Sequence, residues 1–426
     1  TDRDFNRVLV FGQISGNGQS AISVLGQPDF ISSVSGLSQT ALASPSGVDV
    51  DAAGRVYVAD TNNSRVMIWT SAISSNGQAA NIVIGQTWFY SNGQGVGPTA
   101  LNRPQDVSID GSGRLFVADT SNNRVLVWNS VSTSGQTANI VIGHNNFNSD
   151  DRGVNASRLS GPTAIGTSGS LTLIADSSNN RIAGYLTTVS SNGQSAGFVL
   201  GQLTGSGEVD FYGNAINGPQ NRGVSAPSSA TIDPVEHRLF VADTGNNRVL
   251  VYNLSQTNEL LDSVADLVIG QTSFSQVSAN QGGSVNANTL NAPSGVAFDV
   301  SNGRLYVADT NNNRVLIYTS AITMNGQDAD LVLGQSNMTS SSARTARNGL
   351  AAPEGIAVNS NTNRLAVADR DNNRVLIWDE APLTNGQNAA VVVGQSSFTS
   401  ASFGASEKAL HGPRGVAIDS NNGYLY

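Results

Sequence analysis

The sequence predicts an all-β fold: a seven-bladed β-propeller with four antiparallel strands per blade, closed by a blade shared between the N- and C-termini. Three observations predict it. The string Ala-Asp-x-x-x-x-Arg-Val-(Leu/Met)-(Val/Ile) returns at intervals of about sixty residues. A Gly-Gln pair, counting one variant, and an opening Pro each recur seven times beside it. The two ends of the chain carry complementary parts of one repeat.

The repeated Asp stands at Asp60, Asp119, Asp176, Asp243, Asp309 and Asp369. An Arg follows each of them five residues later, at Arg65, Arg124, Arg181, Arg248, Arg314 and Arg374, and Asp2 with Arg7 begins the chain as a further copy. Long-period repeats announce solenoids, propellers or arrays, and the interior of the unit chooses among them. Four short apolar runs, 293–299, 304–309, 314–318 and 329–335, are separated by Ser301-Asn302-Gly303, Thr310-Asn311-Asn312-Asn313 and Asn325-Gly326-Gln327. Runs this short, rich in β-branched and aromatic residues and bounded by turn formers, read as strands. No segment has the length and the 3.6-residue period of an amphipathic helix. Four-stranded units repeated radially make a propeller.

The fourth strand closes on Gly26-Gln27, Gly85-Gln86, Gly201-Gln202, Gly270-Gln271, Gly334-Gln335 or Gly394-Gln395, with Gly143-His144 as the variant. Units open at Pro45, Pro104, Pro162, Pro227, Pro293, Pro353 and Pro413. The last unit has its Pro but no Asp, and the first has its Asp but no Pro. Blades are therefore expected at about 45–103, 104–161, 162–226, 227–292, 293–352 and 353–412, with 413–426 joined to 1–44, all in one domain over 1–426. The shared blade would take inner strands near Val416–Ile418 and Tyr424–Tyr426 and outer strands near Arg7–Phe11 and Ala21–Leu25. Sharing spares the ring two open edges.

Composition narrows the function. The chain is 39% hydrophobic and only 12% charged, so its polar part is Gly, Ser, Asn, Thr and Gln, which is expected of an extracellular protein, secreted or on the cell surface. Cysteine is absent, which rules out a disulfide-stapled scaffold. The formal charge is −9 and no cluster of Lys and Arg is available to follow a phosphate backbone, so nucleic acid is not an expected partner. No stretch of eighteen apolar residues is present to span a bilayer as a helix. A start at Thr1 is expected of a processed or trimmed chain.

The motif set Pro45-Ser46-Gly47, Asp51, Gly54-Arg55-Val56-Tyr57-Val58-Ala59-Asp60, Asn63 and Arg65-Val66, found again over Pro293 to Val315, resembles the NHL-repeat family of β-propellers. The resemblance extends over all the units and implies the propeller fold. It also implies a choice of functions, since members include protein-interaction and RNA-binding modules, and relatives include lyases and ester or lactone hydrolases with metals at the ring axis. Many members have six blades, and the unit here is longer than the usual one.

Seven Asp and seven Arg look at first like a site, but a site has no use for seven copies. These pairs are expected to tie strand ends or blades by bidentate pairing, and the Asn residues between them to cap their own turns. Asn-Gly-Gln at Asn17, Asn76, Asn192, Asn325 and Asn385 is a tight-turn signal; its repeated Gln suggests an outer rim in contact with a polysaccharide or a neighbour. Function is sought where repeats disagree. Gln105, Asp106, Glu354 and Arg414 replace the usual Ser or Gly after the opening Pro, and Arg3 and Arg370 replace the Thr after the repeated Asp. These six are the expected ligand-binding set, and Arg3 and Arg370 are expected to form a polar cluster with Asp4 and Asp371 beside Glu354 and Arg414. No nucleophile elbow, Cys nucleophile or phosphate loop is present, and His144, His237 and His411 fall at unlike stations, so no cofactor is expected. Calcium is the one candidate ion, through Asp106 and main-chain carbonyls. The expected function is a non-catalytic scaffold binding a protein, peptide or glycan; the alternative is a lactonase-like metal-dependent hydrolase or lyase at the axis.

Overall fold

Short apolar runs between tight turns fold here as antiparallel hairpins. The computed structural model describes residues 1–13, 15–168, 171–202, 204, 209–214, 220–221, 223–418 and 423–425. The chain divides into two compact units, Thr1–Val10 with Ala21–Ala215, and Phe11–Ser20 with Ile216–Leu425. In the first unit Val8–Val10 (β1) and Ser23–Leu25 (β2) pair as a two-stranded ribbon. Its first blade is Val48–Val50 (β3), Val56–Asp60 (β4), Arg65–Trp69 (β5) and Ile82–Ile84 (β6). The second is Asp106–Ile109 (β7), Leu115–Asp119 (β8), Arg124–Trp128 (β9) and Ile140–Ile142 (β10). The third is Pro162–Ser168 (β11), Leu171–Asp176 (β12), Arg181–Tyr185 (β13) and Phe198–Leu200 (β14).

The second unit holds three more. The fourth blade is Ser229–Asp233 (β15), Arg238–Asp243 (β16), Arg248–Asn253 (β17) and Leu267–Ile269 (β18). The fifth is Pro293–Asp299 (β19), Arg304–Asp309 (β20), Arg314–Tyr318 (β21) and Leu331–Leu333 (β22). The sixth is Pro353–Asn359 (β23), Arg364–Asp369 (β24), Arg374–Trp378 (β25) and Val391–Val393 (β26). Consecutive strands are neighbours in every sheet, which is the up-and-down order of propeller blades.

The expectation of seven blades is corrected: among the described residues there are six four-stranded blades. Among the described residues the shared seventh does not form as a sheet. The N-terminal segments make only the β1–β2 ribbon, and the C-terminal segments meet others through single bridges, Phe11 with Leu425 and Ile418 with Leu425. A ladder needs successive hydrogen-bonded pairs, and single bridges do not supply them. Tyr426, expected in an inner strand, lies outside the described residues. Pro413 and Asp2 thus mark repeat sequence without marking a complete blade.

Middle strands are buried because neighbouring blades within a unit pack face to face. In the first unit Tyr57, Ile68, Ile84, Leu115, Leu126 and Trp128 join one apolar cluster across the first and second blades. In the second unit Tyr306, Ile317, Leu333, Leu365, Leu376 and Trp378 do the same for the fifth and sixth. Burying one such side chain contributes about 1.5–3 kcal/mol, and this interblade packing is the main support of the fold.

The register of each second hairpin seats Asp opposite Arg, as with Asp309 and Arg314. Arg314 Nε donates to Asp309 Oδ2 at 2.7 Å, and both side chains are fully buried. The same pair recurs as Asp2–Arg7, Asp60–Arg65, Asp119–Arg124, Asp176–Arg181, Asp243–Arg248 and Asp369–Arg374. The contact is a single bond rather than a fork, because the two Nη groups reach main-chain carbonyls of the flanking loops. Arg314 Nη1 donates to Met338 O at 2.6 Å, and Nη2 to Asn286 O and Thr289 O at 2.8 and 2.7 Å. The other carboxylate oxygen accepts the Asn291 N–H at 2.7 Å, and Asn312 donates to Oδ2 at 2.8 Å. One buried ion pair with both carboxylate oxygens and all three guanidinium nitrogens engaged therefore fixes its own hairpin and two flanking loops, the condition under which burying charge is tolerated.

Two further repeated residues join blades rather than capping their own turns. Asn313, left-handed at φ 55, accepts the Ala352 N–H of the sixth blade at 2.8 Å on its side-chain oxygen. In the Asn-Gly turns, Asn385 Oδ1 accepts the Val332 N–H at 3.0 Å and the Gly386 N–H donates to Val332 O at 2.8 Å, clipping the sixth blade onto β22. Asn76, Asn192 and Asn325 make the same clip on Val24, Val141 and Val268. The Gln of the motif closes its own loop: Gln327 Oε1 accepts from Thr323 N at 2.8 Å, and its amide donates to Ala321 O at 3.2 Å.

Candidate binding site

The opening Pro and the residue after the repeated Asp meet at one end of each blade. In the fifth blade Ser294 and Thr310 share a hydroxyl–hydroxyl bond of 2.6 Å, and Thr310 Oγ1 lies 2.8 Å from Pro353 O of the next blade. Ser228 with Thr244, and Ser46 with Thr61, repeat the pair. The sixth blade fills the two stations with Glu354 and Arg370, which form a direct ion pair. Arg370 Nε also donates to Asp371 Oδ1 at 2.8 Å; that bond and the charges of Asp371 and Glu354 raise its already high pKa. Arg414 approaches Glu354 from the following repeat at 3.4 Å. Its side chain is 60% exposed against 16% for Glu354, so most of its donors face solvent. Two Arg and two carboxylates thus form a cluster in which Arg414 is the member least engaged.

The remaining predicted residues lie in the first unit. Arg3 sits in a short 3-10 turn, Arg3–Phe5, ahead of the Asp2–Arg7 pair. Gln105 presents its carbonyl to Ser46 Oγ at 2.6 Å, so its main chain is part of the contact between blades. Asp106 opens β7, and its Oδ2 accepts the Ile165 N–H at 2.9 Å. Burial pushes the Asp106 carboxyl up to about 7, against the hydrogen bonds from Ile165 and Val107, and the charge of Asp49 adds to the rise. Asp49, which sequence reasoning passed over, has the same role in the preceding blade, its Oδ2 accepting from Ile109 N at 2.7 Å. Burial raises its carboxyl too. Oxygens already receiving main-chain N–H groups are poor seats for calcium, which wants several open oxygens.

The three histidines have separate local duties. His144 takes the place of the strand-closing Gln: its Nε2 lies 3.2 Å from Asn122 O, and burial lowers its pKa. His237 Nδ1 lies 2.8 Å from Asn258 Oδ1, and the His411 ring packs on Phe403. Among the described residues no three His, Asp or Glu side chains gather closely enough to hold a metal ion. No helix of the described residues is long and apolar enough to cross a membrane.

A further repeated residue escaped the sequence reading. A Phe three places after most strand-closing Gln residues offers its carbonyl to the buried Arg, as Phe274 does to Arg248 at 2.7 Å. Its fixed offset from Gly-Gln was the available signal.

Four-stranded blades tied by buried Asp–Arg hairpins define a repeat-built β-propeller. The family model of the NHL repeat matches residues 42–69, 101–128, 290–318 and 350–378. Four of the six described blades, the first, second, fifth and sixth, thus carry NHL repeats. NHL repeat-containing protein 2 of Homo sapiens is 26% identical over 383 residues, covering 82% of this chain and 49% of that protein. The chain thus spans about half the length of the curated relative it matches. Hydrazine synthase of Kuenenia stuttgartiensis has 13% identity and a TM-score of 0.50, with 91% of this chain and 93% of that one covered. Virginiamycin B lyase of Staphylococcus aureus has 12% identity and a TM-score of 0.47, with 89% and 93% covered. The likeness to the synthase is one of fold alone.

Proposed function

We propose that this propeller is a non-catalytic binding scaffold of the extracellular space that holds a protein, peptide or glycan by an anionic group. The observation that carries the reading is Arg414, exposed beside the Glu354–Arg370 pair with only long contacts, 3.5 and 3.4 Å, to the two Glu354 oxygens. A planar guanidinium with open donors suits a carboxylate or sulfate, and Glu354 and Asp371 set the direction from which an anion approaches. The low charge and high Ser, Asn and Gly content support the extracellular setting. The test is an array of acidic and neutral peptides and glycans, probed with the protein and with Arg414→Ser. Acidic ligands retained by the protein and lost by the variant support the reading. Ligands that survive Arg414→Ser, or turnover of a lactone or ester panel, overturn it.

A further inference from the structure

The turn between the first two strands carries a second ion pair in the first two blades. Arg55 Nε lies 2.6 Å from Asp51 Oδ2, and Arg114 Nε 2.7 Å from Asp110 Oδ2, each four residues apart. The fourth blade lengthens this turn by one residue, as Asp233-Pro234-Val235-Glu236-His237-Arg238. Asp233 Oδ1 there accepts the Val235 and Glu236 N–H groups at 2.9 and 3.1 Å, and Arg238 Nη1 donates to Ile322 O of the fifth blade. Arg238 Nε is left buried without an acceptor.

Tyr318 stands at the end of β21, where other blades place Trp69, Trp128 and Trp378. Those indoles donate to the main chain of Gln78, Gln136 and Gln387 at 2.8, 3.0 and 3.1 Å. The Tyr318 hydroxyl, on a side chain 1% exposed, has no partner. Burial holds its phenol protonated, far above the usual range. Each buried polar atom left unpaired is rare and costs stability, and the two residues that carry these atoms, Arg238 and Tyr318, line one cavity.

That cavity, of about 190 Å³, lies between the fourth and fifth blades. Phe240 and Phe298 wall it, their rings stacked with centroids 6.0 Å apart. Exposed Val235 and Val300 lie at its mouth. A void of about 150 Å³ lined by apolar side chains takes benzene, so the space is that of one ring with a small substituent. Asp233 and Glu236 stand in the lining against the single charge of Arg238, a balance that disfavours an anion.

We propose that this cavity binds a small neutral molecule with a ring-sized apolar body and one acceptor oxygen, such as a ketone, ester or amide, whose oxygen takes the Arg238 Nε–H or the Tyr318 hydroxyl. The inference is independent of the Arg414 site. The probe is acetophenone, compared with ethylbenzene, which lacks the acceptor, and with benzoate and benzylammonium, by saturation-transfer NMR and calorimetry on the whole chain. Acetophenone should bind about tenfold more tightly than ethylbenzene, the effect of one buried hydrogen bond, and more tightly than either ion. Tyr318→Phe and Arg238→Met together should bring acetophenone to the ethylbenzene level. Tyr318→Phe alone removes an unpaired hydroxyl, so its melting midpoint should not fall, which keeps the test clear of misfolding. Equal binding of acetophenone and ethylbenzene, tighter binding of benzoate or benzylammonium, no binding at all, or binding indifferent to both substitutions overturns the proposal.

Discussion

Glu354 holds Arg370 by an ion pair at the two stations where the preceding blade joins Ser294 to Thr310 through their hydroxyls. One short polar bridge has been exchanged for another of opposite charges, and the exchange leaves Arg414 as an added cation beside it. Side chains that depart from the repeat here therefore do two things: they keep the blade end closed, and they change its charge pattern.

If the stations are equivalent, Glu354→Ser and Arg370→Thr should each cost up to about 1 kcal/mol, the worth of a partly exposed ion pair. The double variant should return to within about 0.5 kcal/mol of the parent as the hydroxyl pair re-forms. A double-mutant cycle by denaturant unfolding measures this. Losses that simply add would show that the hydroxyl pair does not form in the sixth blade.

Arg314→Ala should be the severe case. It strands a buried Asp309 and releases two loops at once, for which a loss of about 3–5 kcal/mol is expected. Arg414→Ala, exposed, should shift stability by no more than about 0.5 kcal/mol. Chemical unfolding of the two side by side checks the contrast.

Ala292 precedes an opening Pro with φ 49, whereas Gly161 and Gly412 hold the same station at φ 57 and 55. A left-handed Ala pays a steric cost of about 1–2 kcal/mol that glycine avoids, offset to a degree by the greater freedom of glycine in the unfolded chain. Ala292→Gly should therefore gain about 0.5–1 kcal/mol, read as a higher melting midpoint. A fall would mean that the Ala292 methyl makes packing contacts of greater value.

Asp106 ties stability to pH. Its carboxyl titrates at about 7 in the folded chain and at about 3.9 when unfolded, so the folded state binds more protons between those values. Stability should fall as pH rises from about 4 to 7 and level off above. Asp106→Asn should flatten its share of that slope. Melting midpoints across the window decide it, and an unchanged slope would remove Asp106 as its source.

Strands are legible in this sequence because each is a short apolar run with its own turn, and the Asp–Arg hairpin because both partners lie within five residues. Pro413 misled the blade count: a repeat landmark records descent from a repeat, whereas a blade also requires laddered partners, and Ile418 and Leu425 have single bridges. The role of Asn313 is invisible locally, since its acceptor serves Ala352, thirty-nine residues on. At the candidate site, Glu354, Arg370 and Arg414 stand out as departures from the repeat, but their replacement of a hydroxyl pair is seen only in space. Asp49 lies in a plain Val-Asp-Val alternation whose interblade contact is seen only in space, and Tyr318 is an ordinary strand residue. Arg238 was signalled only by one extra residue in its turn.

The Asn-Gly clips have a consequence for the protein among others of its kind. Every three-residue outer strand they touch has its open edge occupied by a peptide from elsewhere in the chain, and for Val391–Val393 the occupant is Asn17-Gly18. An edge so occupied cannot recruit a strand from a second molecule, the usual first step of β-sheet aggregation. The same two residues that close a turn thus act as a guard against self-association, and replacing Asn17-Gly18 would open the sixth blade to it first.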